Sequence, residues 1–178
     1  DQVFNNRADN MQQIVDAIQD GSVVDLIHNS IQTHRTKSIK LVRIHESGDF
    51  FSGAYLDAWI QVAQRNPDLK FYAYTKSLQL FLYLKLPTNF YITASKGGKF
   101  DHLLDHFQRY SVVVADEQEA ESLGLSVDHD DSHCFGDNPF ALLVHGTQPK
   151  GSALGAAIRQ RRAKGLHAGY NQKNKVAA

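Results

Sequence analysis

The chain has 178 residues and a mass of 19.9 kDa, is 42% hydrophobic and 21% charged, and sets 19 Lys and Arg against 19 Asp and Glu. That composition suits an ordinary globular α/β-sized domain and excludes disordered, collagen-like and coiled-coil chains, while the zero net charge excludes a polyelectrolyte binder that works through its whole surface. One cysteine, Cys134, excludes an internal disulfide framework and any metal cluster held by this chain's thiolates alone.

Met11, Ile14, Val15 and Ile18 fall three and four apart, which predicts a helix with Asp9 as N-cap and Gly21 as its stop. Val23 to Ile27 predicts a second helical piece before the polar stretch 33–38. A strand-then-helix rhythm follows. Ile39 to Ile44 reads as a strand ending in His45-Glu46-Ser47-Gly48-Asp49, and a helix from about Ser52 to Gln64 shows Tyr55, Leu56, Trp59, Ile60 and Ala63 on one face. Leu69 to Tyr74 is the next strand, then a helical turn over 78–84 closed by Pro87. Asn89 to Ala94 leads into Ser95-Lys96-Gly97-Gly98 and a helix near Phe100 to Phe107. Ser111 to Ala115 is followed by a helix opened by Asp116-Glu117, then an irregular acidic loop over 128–137. A fifth strand at Ala141 to Val144 and a basic helix around 153–164 complete the pattern. Strands spaced by the length of a crossover helix predict an α/β fold of parallel βα repeats, partial TIM-barrel-like or an open parallel sheet, with N-terminal helices. The expected organisation is a single domain over 1–165 and a flexible basic tail over 166–178.

Parallel α/β folds gather ligands at the carboxyl ends of their strands, where helix N-termini point inward. The loops concerned here are 45–49, Thr75-Lys76, 95–98, Asp116-Glu117 and His145-Gly146-Thr147. By two-residue alternation Arg43 and His45 share a strand face with Leu41 deeper, and Glu46 and Asp49 are available partners for them. In Ser95-Lys96-Gly97-Gly98 the backbone amides can form a concavity for an anion, with Lys96 adding charge. The segment 146–152 resembles a P-loop in outline, but Lys150 precedes Gly151 instead of following it, so an NTPase motif is rejected.

Two histidine pairs have i, i+4 spacing, His102 with His106 and His129 with His133. The expectation for both is solvated surface and no metal site. The sharper alternative is a metal-dependent hydrolase or nuclease, with the ion among Asp128, His129, Asp131 and His133 or at Glu46 and Asp49. Charge is also segregated, with ten acids against Arg109 over 101–137 and seven bases without an acid over 150–178. Arg159, Arg161, Arg162, Lys164 and Tyr170 are therefore a candidate contact for nucleic-acid phosphates and bases, or for another protein. The most apolar run, 78–86, is interrupted by Gln79 and Lys85, so no membrane span is expected. The start Asp1-Gln2-Val3-Phe4 has no leader pattern, and the cytoplasm is the expected location.

At Arg43-Ile44-His45-Glu46-Ser47-Gly48-Asp49-Phe50, with Tyr55-Leu56-Asp57-Ala58-Trp59 and Phe71-Tyr72-Ala73-Tyr74-Thr75-Lys76-Ser77, the chain resembles the gene product 88 family of bacteriophages, over about residues 39–165. The resemblance implies a phage-encoded protein of an infected host's cytoplasm. That family's strand order and G-D-F loop are similar to a partial barrel of the radical S-adenosylmethionine type, which implies a barrel-like scaffold and a pocket where Arg43, His45, Asp49, Lys76, Ser95 and Lys96 converge. The three cluster cysteines of such enzymes have no counterpart here, since Cys134 stands alone and late. The expected function is an accessory protein that binds an anionic or nucleotide-like small ligand at strand ends, through Arg43, His45, Glu46, Asp49, Lys76, Ser95, Lys96, Gly97 and Gly98. No catalytic residue, cofactor or oligomeric state is assigned.

Overall fold

A computed structural model describes residues 2–146 and 150–165. The chain forms two compact units, 1–91 and 92–178. The strands hydrogen-bond in the order β1-β2-β3-β4-β6-β5, numbered along the chain as Leu41–Arg43, Lys70–Thr75, Phe90–Ser95, Tyr110–Val114, Ser126–Asp128 and Phe140–Leu143. The registers described are all parallel, which is the α/β fold with N-terminal helices that the βα rhythm predicts.

In the first unit, α1 (Gln2–Asp20) and α2 (Val23–His34) precede β1. Gly21, at φ +81, makes the break between them, as its position predicts. Asp9 is interior to α1 and does not cap it. Helix α3 (Gly53–Arg65) begins where Ser52 Oγ accepts the Tyr55 N–H at 3.2 Å, and it buries Tyr55, Leu56, Ala58, Val62 and Ala63. Phe71 of β2, Ile44 directly after β1 and Leu69 directly before β2 are 1% exposed or less and belong to this core. Each such side chain withdraws enough apolar surface to contribute about 1.5–3 kcal/mol. A single 3-10 turn, Leu78–Leu80, stands where a helical turn over 78–84 is predicted.

The predicted strand over 39–44 shortens to β1, and Leu41, expected to pack deeply, is 50% exposed. Strand order places β1 at the sheet edge, where one backbone edge lacks a neighbouring strand.

In the second unit, β6 lies between β4 and β5, pairing Ser111↔Phe140 on one side and Ser126↔Phe140 on the other. Val114, Ala120, Ala141 and Leu143 form a buried cluster. Helix α4 (Glu117–Ser122) is capped by Asp116, whose carboxylate accepts the Glu119 N–H at 2.9 Å. Helix α5 (Ala153–Ala163) is held by Arg161, 6% exposed, which donates to both Glu117 oxygens at 2.7 and 3.1 Å. Two expectations are corrected in this unit. The acidic loop over 128–137 starts on the last residue of β5 and contains a 3-10 turn (Ser132–Phe135), and its Asp128 and Asp131 are buried. The segment Asp101–His106 is a 3-10 helix and not an α-helix, and three residues per turn set positions four apart about 120° apart. His102 and His106 thus do not share a face, and both are exposed.

One side chain secures the turn that returns the chain from α3 to the sheet. Asn89 Nδ2 lies 2.9 Å from Ala63 O, 3.1 Å from Asn66 O and 2.9 Å from Leu69 O, sharing its two protons among carbonyls at and beyond the helix's C-terminal end. Replacing Asn89 with Ala removes this shared donor and leaves Ala63 O and Asn66 O with the Asn66 and Leu69 backbone N–H groups alone. The expected loss is about 1–3 kcal/mol of unfolding free energy, read as a lower urea midpoint at unchanged slope.

Candidate functional site

The stretch after β1 departs from extended geometry at once. Ile44 N–H still donates to Tyr72 O at 2.8 Å, but His45 adopts φ 65, a left-handed conformation rare for a residue with a Cβ. Strand alternation therefore ends before His45, and the expectation that Arg43 and His45 project from one strand face is corrected. His45 packs edge-on to Phe50, with ring centroids 4.7 Å apart, and its Nε2 lies 3.1 Å from the Tyr55 hydroxyl. Its Nδ1 is buried and has no hydrogen-bond partner among the described residues. An unmet acceptor costs less than an unmet donor, so the favoured tautomer carries its proton on Nε2 and donates to Tyr55.

Asp49 fixes the same loop to the next strand end. Its Oδ1 accepts the Phe50 N–H at 2.7 Å and the Thr75 hydroxyl at 2.6 Å, while Oδ2 accepts the Lys76 N–H at 2.7 Å. The Ser77 hydroxyl donates to Phe50 O at 2.7 Å. The carboxylate thereby joins the loop after β1 to the loop after β2.

An open cleft of about 410 Å³ lies between this loop and the first half of α1. Arg7, Asn10, Met11 and Ile14 line one wall; His45 to Asp49, Phe51 and Tyr55 line the other. Phe51 and Tyr55 are stacked, with centroids 4.7 Å apart and 19° between planes, and Phe51 is 45% exposed. Arg7 makes no ion pair among the described residues, and neither does Glu46.

Of the residues expected at the site, His45, Glu46 and Asp49 line this cleft. Arg43 does not line it; its guanidinium lies over the Tyr74 ring, 5.2 Å from the centroid. Lys76 is exposed and is tied through its backbone to Asp49. In the second unit, the Gly97 and Gly98 amides turn to one anion, as their spacing predicts, but it is internal: Asp101 accepts Gly97 N–H at 2.9 Å and Gly98 N–H at 2.8 Å. Any outside anion there must displace Asp101. Ser95 is half-buried, and Lys96 is exposed with its N–H donating to Ser111 O at 2.9 Å.

Asp128, Asp131 and Cys134 come together in the second unit, with donor atoms within 4.8 Å of one another. Asp128 already accepts the Asp130 and His133 N–H groups at 3.1 Å each, with His133 Nδ1 at 3.3 Å, which closes the turn around it. His129 is exposed and outside that group. Arg159 and Arg162 on α5 and Lys164 at its C-cap are exposed, whereas Arg161 is bound to Glu117. Tyr170, the tail over 166–178 and Thr147 lie outside the described residues. No described helix is long and apolar enough to cross a membrane.

Residue typing overlooked Arg7, Asn10, Phe51 and Tyr55 as cleft residues. A stripe at 7, 11 and 14 was the available signal, because those positions follow one helix face.

Burial holds the His45 pKa below its usual 6.5, with the Asp49 carboxylate opposing the shift, and burial raises that of the Tyr55 hydroxyl. The folded state therefore binds the His45 proton less readily than the unfolded state does. The associated stability is whole above about pH 6.5 and is lost as pH falls through the folded pKa. Urea unfolding at pH 8 and pH 5.5 should show a smaller loss on acidification for His45→Gln than for the parent chain; equal losses refute the assignment.

The family described as Gene product 88 matches residues 1–166. The Gene 88 protein of Mycobacterium phage L5 is 50% identical over 50 residues, and that of Mycobacterium phage D29 is 44% identical over 50 residues. Each alignment covers 28% of this chain and 21% of the relative, so the match spans about a fifth of the curated relatives' length. No solved structure matches the chain, and the likeness to radical S-adenosylmethionine barrels gains no support from these comparisons. With the motif residues His45 to Phe50 inside a family match that covers nearly the whole chain, the protein belongs to the Gene product 88 family.

Proposed function

We propose that this chain is a phage-encoded accessory protein that binds a small anionic, nucleotide-like ligand at the carboxyl end of β1, in the cleft between α1 and the loop over 45–51. The observation that carries the reading is an Arg7 guanidinium without an ion-pair partner among the described residues, lining the same cleft as the exposed Phe51 ring, which is stacked on the buried Tyr55. Arg supplies a fork of donors suited to phosphate, and an aromatic face suits a base. Glu46 offers acceptors for sugar hydroxyls, and the α3 N-terminus adds positive potential. A cleft of about 410 Å³ is within the size range of small-molecule sites.

Thermal-shift titration with adenosine 5′-monophosphate, uridine 5′-monophosphate and inorganic phosphate tests this. Ligand at a hundred times Kd adds about 2.7 kcal/mol, a shift of several degrees in Tm. Arg7→Ala should weaken binding of all three, and Phe51→Ala that of the two nucleotides only. A parent chain that none of them stabilises, or a shift indifferent to Arg7→Ala, overturns the proposal.

A further inference from the structure

Between the end of α2 and the start of β1, an open depression of about 440 Å³ is lined by Gln32, Arg35, Thr36, Lys37 and Lys40. Every lining side chain is polar, three carry positive charge, and none is acidic or aromatic. The sequence concentrates charge here: from Leu26 to His45 there is no Asp or Glu, while Arg35, Lys37, Lys40 and Arg43 fall within nine residues. A turn closed by the Ile39 N–H, which donates to Thr36 O at 3.1 Å, holds Lys37 between Arg35 and Lys40. Its Thr36 and Ser38 hydroxyls lie 2.9 Å apart.

Cations that follow a helix complement its C-terminal dipole, but that effect fades beyond the last turn. It accounts for Arg35, directly after α2, and not for Lys37 or Lys40. Nor does ion pairing consume the charge. Asp68 Oδ2 meets Arg35 and lies 3.9 Å from Lys40 Nζ, whereas Lys37 makes no ion pair among the described residues. One carboxylate, itself 52% exposed, is thus set against three cations.

We propose that this depression is a contact for the phosphodiester backbone of duplex DNA, bound without regard to sequence. Exposed cations and hydroxyls suit phosphate oxygens, and a chain of zero net charge can attract a polyanion only through such a local concentration. The lining has no aromatic platform of the kind single strands stack on, and no apolar side chain to enter a lipid surface. The site shares no lining residue with the cleft after β1 and does not rest on the reading of that cleft.

Fluorescence anisotropy of the full chain with a short labelled duplex of arbitrary sequence tests the proposal. Three phosphate contacts predict an affinity loss of about fortyfold between about 50 and about 200 mM KCl. Lys37→Ala should reduce that loss to about twelvefold, and Lys37→Ala with Lys40→Ala to about 3.5-fold. Both lysines are exposed, so folding is retained. Asp68→Asn removes the internal competitor and should tighten binding several-fold at the lower salt, an effect that a purely structural ion pair would not give. Lys85→Ala, exposed and outside the depression, should change neither affinity nor salt dependence. Absence of duplex binding, equal salt dependence in the parent and the double variant, or an Asp68→Asn chain that binds no more tightly overturns the proposal. So does a preference for single-stranded DNA, or binding to phosphatidylserine vesicles in place of DNA.

Discussion

A single carboxylate sets the geometry at the carboxyl ends of β1 and β2. Asp49 receives three donors from two loops, Phe50 N–H, the Thr75 hydroxyl and Lys76 N–H, all within 2.7 Å. Hydrogen bonds to an ionised acceptor are stronger than neutral ones, and three that converge from separate segments remove the freedom a long loop would otherwise keep. That fixation supports the left-handed backbone at His45 and holds Phe50 in the core at 1% exposure. The exposed Phe51 and the cap at Ser52 follow directly in the chain. The cleft wall is therefore a consequence of where Asp49 is bound.

The two glycine-bearing loops illustrate how similar composition leads to different chemistry. Gly97 and Gly98 direct their amides at Asp101, four and three residues onward, so the local sequence carries its own anion. The loop over 45–51 spends its carboxylate on the next strand end and leaves Arg7 and Glu46 with no ion pair among the described residues. Uncommitted charge beside an aromatic stack is the property that separates a recognition surface from a loop that satisfies itself.

Much of the architecture was legible because parallel strands buried between helices repeat a strong signal. The strands around Phe71, Phe90 and Val112 and the helix through Leu56 and Val62 appear within a residue or two of their expected bounds. β5 was not legible, since Ser126, Val127 and Asp128 carry neither alternation nor an apolar run, and Asp128 is buried through hydrogen bonds that hydropathy does not register. The helix expected over 100–107 failed for a related reason: Leu103 and Leu104 fit either helical pitch, and pitch alone decides whether His102 and His106 meet. At the site, residue type pointed to His45, Glu46 and Asp49, while alternation misplaced His45 because one positive φ breaks the period. Arg7 was missed because the helix was expected to begin after Asp9, whereas it begins at Gln2 and carries position 7 onto the face of 11 and 14.

The central claim is the location of the recognition site, and amide chemical-shift mapping with adenosine 5′-monophosphate tests it most directly. The account predicts perturbations concentrated at Arg7 to Ile14 and at His45 to Tyr55, absent in Arg7→Ala at the same ligand concentration. Perturbations confined to residues 92–165, or none at saturating ligand, would contradict it.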